Sequence, residues 1–212
     1  MIENAPPKAG VLQQLRAERP ALFEAPPFWP VSVGAIDAGV RKVRRGERIR
    51  IGTSAGGHEI FGVAYGPFEP QEPKATISSA MASDRPEVFF DPARRTRPVL
   101  VLIGAIHGGE AEGVALCMNL IHLMEHGIDL RGRRHGRLLS ALEKIRLVLV
   151  PCLNPDGREA AGVAHLVGAT VEDLYLVQQG ILRDGTPFRG RAIKEVQPIP
   201  RGYLRHMGGY YN

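Results

Sequence analysis

The sequence predicts an α/β domain: a mixed, mostly parallel sheet with helices on both faces, opened by a β-hairpin. Three observations carry that expectation. Two short apolar runs, Val99-Leu100-Val101-Leu102-Ile103 and Ile145-Arg146-Leu147-Val148-Leu149-Val150, have the length and β-branched content of strands buried on both faces. Between them lies a segment with helical periodicity, and strand–helix–helix–strand is the order that a parallel crossover requires. Upstream, an alternating polar–apolar segment, a glycine-rich turn and a second apolar segment read as a hairpin.

Before the hairpin, residues 1–45 are Pro-rich and weakly periodic, with Ala25-Pro26-Pro27-Phe28-Trp29-Pro30 as the clearest example. A short helix is expected over 11–18, and the remainder reads as a lead segment before a domain spanning 46–212. In the hairpin, Arg48-Ile49-Arg50-Ile51-Gly52-Thr53 alternates as a half-buried strand does, Ser54-Ala55-Gly56-Gly57-His58 supplies the turn, and Ile60–Tyr65 forms the returning strand. A long Pro- and charge-rich connection over 67–98 follows. The spacing then predicts a helix over 112–125, because Val114, Cys117, Met118, Ile121 and Met124 recur at steps of three and four, and Gly127 is placed to stop it. A shorter helix over 137–144 precedes the second apolar strand. Thr170 with Asp173 has the form of an N-terminal cap for a short helix ending at Gly180. From Ile181 to Asn212 no periodicity stands out.

Composition narrows the class. Hydrophobic residues make up 44% and charged residues 23% of 212, as in ordinary globular proteins. No apolar run is long enough to span a bilayer, and the N-terminus lacks the basic start and apolar stretch of a secretory signal, so a cytoplasmic location is expected. Two cysteines, Cys117 and Cys152, do not make a disulfide framework. The net charge of +5 is concentrated in Arg41-Lys42-Val43-Arg44-Arg45 and in Arg131-Gly132-Arg133-Arg134-His135-Gly136-Arg137. Such runs contact phosphates in some proteins, but neither carries aromatics to stack on bases, so they are read as solvated turns and no nucleic acid is expected.

The chemistry-bearing segment is His107-Gly108-Gly109-Glu110, between the first buried strand and the long helix. Ligands of open α/β sheets bind beyond the carboxyl ends of the strands. Imidazole nitrogen and carboxylate oxygen are both zinc donors, and the two glycines remove bulk and widen the backbone's choices so that both donors can turn onto one point. Alone, the pair also suits a strand-end histidine and a carboxylate stabilising a helix N-terminus. A second loop, Asn154-Pro155-Asp156-Gly157-Arg158, follows the second strand and reads as a tight turn. If the two strands are parallel neighbours, both loops open on one edge of the sheet.

Taken together, the His-x-x-Glu pair and the Asn-Pro-Asp-Gly turn, in that order, resemble the zinc carboxypeptidase family, the carboxypeptidase A-like metallopeptidases. The likeness runs from about Glu47 to Arg158. It implies a metallocarboxypeptidase-type hydrolase holding one Zn2+, with His107 and Glu110 as metal ligands, and a peptide or amino-acid-conjugate substrate bearing a free carboxylate. Asn154, Asp156 and Gly157 are expected to shape the second loop, and Arg158 to anchor the substrate carboxylate. The family's second zinc histidine and catalytic glutamate have no convincing counterpart. His165 and His206 read as loop residues and Glu112 as a helix-start carboxylate, so the catalytic base stays unassigned and the chain is expected to hold an incomplete portion of the catalytic domain. The competing readings are an aspartoacylase-like zinc deacylase and a non-catalytic basic binding module.

Overall fold

A computed structural model describes residues 10–69, 78, 82 and 97–179. The expected long connection and the tract after Gln179 therefore lie largely outside the described residues, as does His206. In chain order the elements are α1 (Gly10–Glu18), a 3-10 turn (Pro20–Phe23), α2 (Val33–Arg41), β1 (Glu47–Thr53), β2 (Glu59–Tyr65), β3 (Val99–Ile103), α3 (Ala111–His126), α4 (Gly136–Leu142), β4 (Arg146–Val150), α5 (Pro155–Ala161), α6 (Val171–Leu174) and a π-turn (Tyr175–Gln179).

The four strands form one mixed sheet in the order β1-β2-β4-β3. β3 and β4 are parallel neighbours, with Val101 opposite Val148 and Ile103 opposite Val150, as the crossover through α3 and α4 demands. The expectation of a mostly parallel sheet is corrected, because β2 pairs antiparallel with β4 as well as with β1. The hairpin does not stand before the sheet. It supplies half of it, and two of the three pairings are antiparallel.

That order also decides which strand is buried. β4 lies between β2 and β3, and Leu147 and Leu149 are fully buried. β3 stands at the edge of the described sheet, where Val99, Leu100, Val101 and Ile103 are 40–51% exposed. The apolar run was expected to be covered on both faces, and among the described residues it is not.

Register places Val63, Tyr65, Leu147 and Leu149 on one face with Leu102. This face shares a core with Val114, Cys117, Met118, Ile121 and Met124 of α3, the stripe predicted from the sequence, and with Ile36 and Val40 of α2 and Leu142 of α4. Among the described residues, the helices that share a core with the sheet therefore lie on this one face. Val31 and Val43 join the same cluster, so the Pro-rich lead contributes to the main core. A second, smaller cluster joins Leu15, Leu22, Ala161, Val163 and Val177 and ties α1 to α5 and the π-turn.

Helix ends follow local chemistry. Gly127 adopts a left-handed conformation (φ 75°) and donates its N–H to Leu123 O, closing α3 at the expected position. Thr170 and Asp173 form a reciprocal capping box at α6. Among the described residues no helix is long and apolar enough to cross a membrane.

Candidate metal centre

The site is built at the carboxyl ends of the two parallel strands, where the hydrogen-bond ladder continues past β3 and β4 into the loops. Gly104 N–H donates to Val150 O (2.8 Å), Leu153 N–H to Gly104 O (3.0 Å) and Asn154 N–H to Ala105 O (2.9 Å). The Asn154 amide adds a bond to Ile106 O at 3.3 Å. Ala105 is the one described non-glycine residue with positive φ (45°), a strained conformation held in place by burial to 2% exposure and by the bond to Asn154.

From this turn His107 and Glu110 meet. His107 Nδ1 lies 2.7 Å from Glu110 Oε1, and the His107 backbone N–H donates to Glu110 Oε2 at 3.3 Å. Glu110 occupies the N-cap of α3 but makes no side-chain cap bond, so its carboxylate turns back towards the imidazole and away from the helix amides. Both side chains are partly open to solvent, at 31% and 38%.

The glycines act by size. Neither Gly108 nor Gly109 has positive φ, so the dihedral freedom expected of them is not what the loop uses. A Cβ on Gly108 would overlap the carbonyl of Gly157, and one on Gly109 would come within 2.7 Å of the Val177 side chain. Close approach of the two loops is what excludes larger residues. Gly104 and Gly113 do the same for strand and helix: a Cβ on Gly104 would lie 2.7 Å from Gly113 C.

The second loop differs from the expected plain turn. Asn154 caps α5, its Oδ1 accepting the Gly157 N–H at 2.9 Å, and Pro155 takes the first helical position. Asn followed by Pro is a helix-start signal as well as a turn signal, and the helix wins here. Asp156 points away to the hairpin. Its Oδ1 accepts the Ser54 hydroxyl at 2.6 Å and its Oδ2 accepts the Gly56 N–H at 2.8 Å. His58 joins the same corner, 3.1 Å from Glu159 Oε2 and 3.8 Å from Asp156 Oδ1. Nothing local in the sequence pairs Ser54 with a residue 102 positions away.

Arg158, expected to anchor a substrate carboxylate, is only 2% exposed. Its guanidinium donates to Gly108 O (2.8 Å) and to Val163 O, while its Nε is buried without a partner among the described residues. Burial pushes its pKa down. The group therefore braces the underside of the His107–Glu110 loop. Glu112 likewise holds neighbouring chain, accepting the Leu166 N–H at 3.0 Å, and His165 Nδ1 accepts the Val167 N–H. Among the described residues, no three His, Cys, Asp or Glu side chains are grouped closely enough to hold an ion together.

The zinc carboxypeptidase family profile matches residues 42–168, more than half of the chain and inclusive of both loops. This chain belongs to the zinc carboxypeptidase family. No curated protein sequence matches. Twelve solved chains do. One is a metallo-carboxypeptidase from Burkholderia cenocepacia, 16% identical, with a TM-score of 0.41 and 74% of this chain covered. The match takes in 35% of that protein, so the present chain spans about a third of its length.

Proposed function

We propose that this chain carries the metal-binding loop of a zinc-dependent carboxypeptidase-type hydrolase, with His107 Nδ1 and the Glu110 carboxylate as two ligands of one Zn2+. The observation that carries the reading is the convergence of these atoms to 2.7 Å at the carboxyl ends of parallel strands. Two donors on a tetrahedral zinc, each about 2.1 Å from the ion, stand roughly 3.4 Å apart. A small rotation of either side chain reaches that separation, and among the described residues neither is committed to a different structural partner. When bound, zinc supplies an acidified water and a polarised carbonyl for hydrolysis.

The chain's own residues prepare this chemistry by position. Glu110 fixes the imidazole with Nδ1 towards the shared point, and Arg158 holds the loop by its Gly108 carbonyl. Asn154 and Gly157 set the facing loop against it, and Asp156 secures that loop to the hairpin. The substrate class is a peptide or amino-acid conjugate with a free carboxylate. Arg158 could reach such a group only by leaving both carbonyls, so its proposed role is to position the loop.

Zinc titration by calorimetry tests the reading on the wild type, His107→Ala and Glu110→Gln. The wild type should bind one ion. Each variant should lose more than the ~10–100-fold typical of outer-shell changes while keeping its Tm. Equal affinity in all three proteins would overturn the assignment. Peptides with free or amidated C-termini, assayed beside N-acyl amino acids, separate carboxypeptidase from deacylase chemistry.

A further inference from the structure

The two basic runs are far apart in sequence but are fastened to the same end of one helix. Glu125, in the last turn of α3, accepts the backbone N–H groups of Arg44, Arg45 and Gly46 at 2.8–3.2 Å and the Tyr65 hydroxyl at 2.9 Å. Arg45 also donates from its guanidinium to Met124 O. Just past the helix cap, Asp129 accepts the N–H groups of Arg131 (2.9 Å) and Arg133 (2.7 Å) and faces His135 Nε2 at 2.8 Å.

Both carboxylates are thus occupied mainly by main-chain amides. Among the described residues, the guanidinium and ammonium groups that surround them are left largely uncompensated. Arg41, Lys42, Arg44, Arg45, Arg131, Arg133, Arg134 and Arg137 are all exposed. Arg133 lies 3.5 Å from Asp129, and Arg131 stacks on Phe28. Arg41, Lys42, Arg44, Arg134 and Arg137 make no ion pair among the described residues. Because the amides pin both loops, the backbone that carries these cations is fixed before a partner arrives, which lowers the ordering cost of binding.

We propose that this end of α3 is a docking surface for an acidic polypeptide segment. The α-helix is 16 residues long, which puts the surface about 24 Å from the His107–Glu110 loop. It is therefore separate from the metal centre and does not depend on the assignment made there. Seven of the eight cations are arginines, whose planar fork grips carboxylates in bidentate fashion. A nucleic acid is disfavoured because neither run contains an aromatic residue and the adjacent Phe28 ring is taken by Arg131. A membrane surface is disfavoured because Val43, the only large apolar residue within the runs, is buried at 6% exposure.

Fluorescence anisotropy with a labelled 12-residue Glu/Asp peptide tests the proposal on the full 212-residue chain. Saturable binding in low salt should weaken in higher salt. It should fall about tenfold or more in Arg44→Glu/Arg134→Glu/Arg137→Glu, with smaller losses when only one run is reversed. The neutral Arg→Gln triple variant, checked for an unchanged Tm, serves if charge reversal disturbs folding. No peptide binding, binding indifferent to these substitutions, or tighter binding of single-stranded DNA or of phosphatidylserine vesicles would each overturn it.

Discussion

The two ends of α3 use carboxylates in opposite ways. At the N-terminal end, Glu110 receives one backbone N–H and faces an imidazole, and among the described residues much of its bonding capacity remains open. At the C-terminal end, Glu125 and Asp129 are surrounded by donors. For Glu125, burial opposes ionisation, but three amides and the Tyr65 hydroxyl outweigh it and hold the carboxyl below its ordinary value. For Asp129, the His135 contact and the amides of Arg133 and Arg131 hold it at about 2. A carboxylate saturated with amide donors is a structural fastener, whereas one opposite a histidine with lone pairs to spare is available for chemistry. Charge and residue type alone do not separate these cases. The count and kind of donors do.

The contrast can be broken or sharpened at four places. The largest effect is expected from Gly108→Ala, where the new methyl meets the Gly157 carbonyl, which cannot move without shifting α5. A destabilisation of about 2–4 kcal/mol is expected, with loss of zinc affinity, measured by denaturant unfolding and calorimetry. Retained affinity would show that the loop tolerates separation from its neighbour. Asp156→Ala should cost about 1–3 kcal/mol by leaving Ser54 and Gly56 without their acceptor, and should weaken protection of the hairpin tip in hydrogen exchange. Glu125→Gln, which exchanges an acceptor for a donor among three amides, should cost about 1–2 kcal/mol and leave zinc binding unchanged. If it impairs zinc binding, the division of the helix into two independent ends fails.

The smallest effect concerns acid. The Asp129 carboxyl moves from an ordinary 3.8 to about 2 in the folded chain. Its contribution to stability is therefore complete above pH 3.8 and disappears as pH falls towards 2. The difference in Tm between wild type and Asp129→Asn should shrink as pH falls through that window. A difference that persists to pH 2 would mean that the loop does not depend on the ionised group.

Much of this arrangement is legible in the sequence where the signal is local. The α3 stripe, the Gly127 stop, the Thr170–Asp173 box and the hairpin all follow from spacing and capping chemistry within a few residues. The His107–Glu110 convergence is legible too, because three residues of tight chain between a strand and a helix leave few directions for the side chains. What escapes is set by partners distant in sequence. β3 and β4 have nearly interchangeable apolar composition, yet one is exposed and one buried, because the insertion of β4 beside β2 is decided by pairing across the sheet. α2 escapes because its buried positions, Ile36 and Val40, are too few to stand out beside the Pro-rich stretch before them. The bracing role of Arg158 depends on Gly108, fifty residues earlier, and no pattern around Arg158 announces it.

The ladder that runs on from β3 and β4 through Gly104, Leu153 and Asn154 has a kinetic consequence. Opening those amides to deuterium requires parting β3 from β4, so they should exchange more slowly than the other loop amides even though they lie beside a solvent-facing rim. A visiting molecule would meet a rigid floor there, and any adjustment of fit would fall to side chains and to the visitor's own shape.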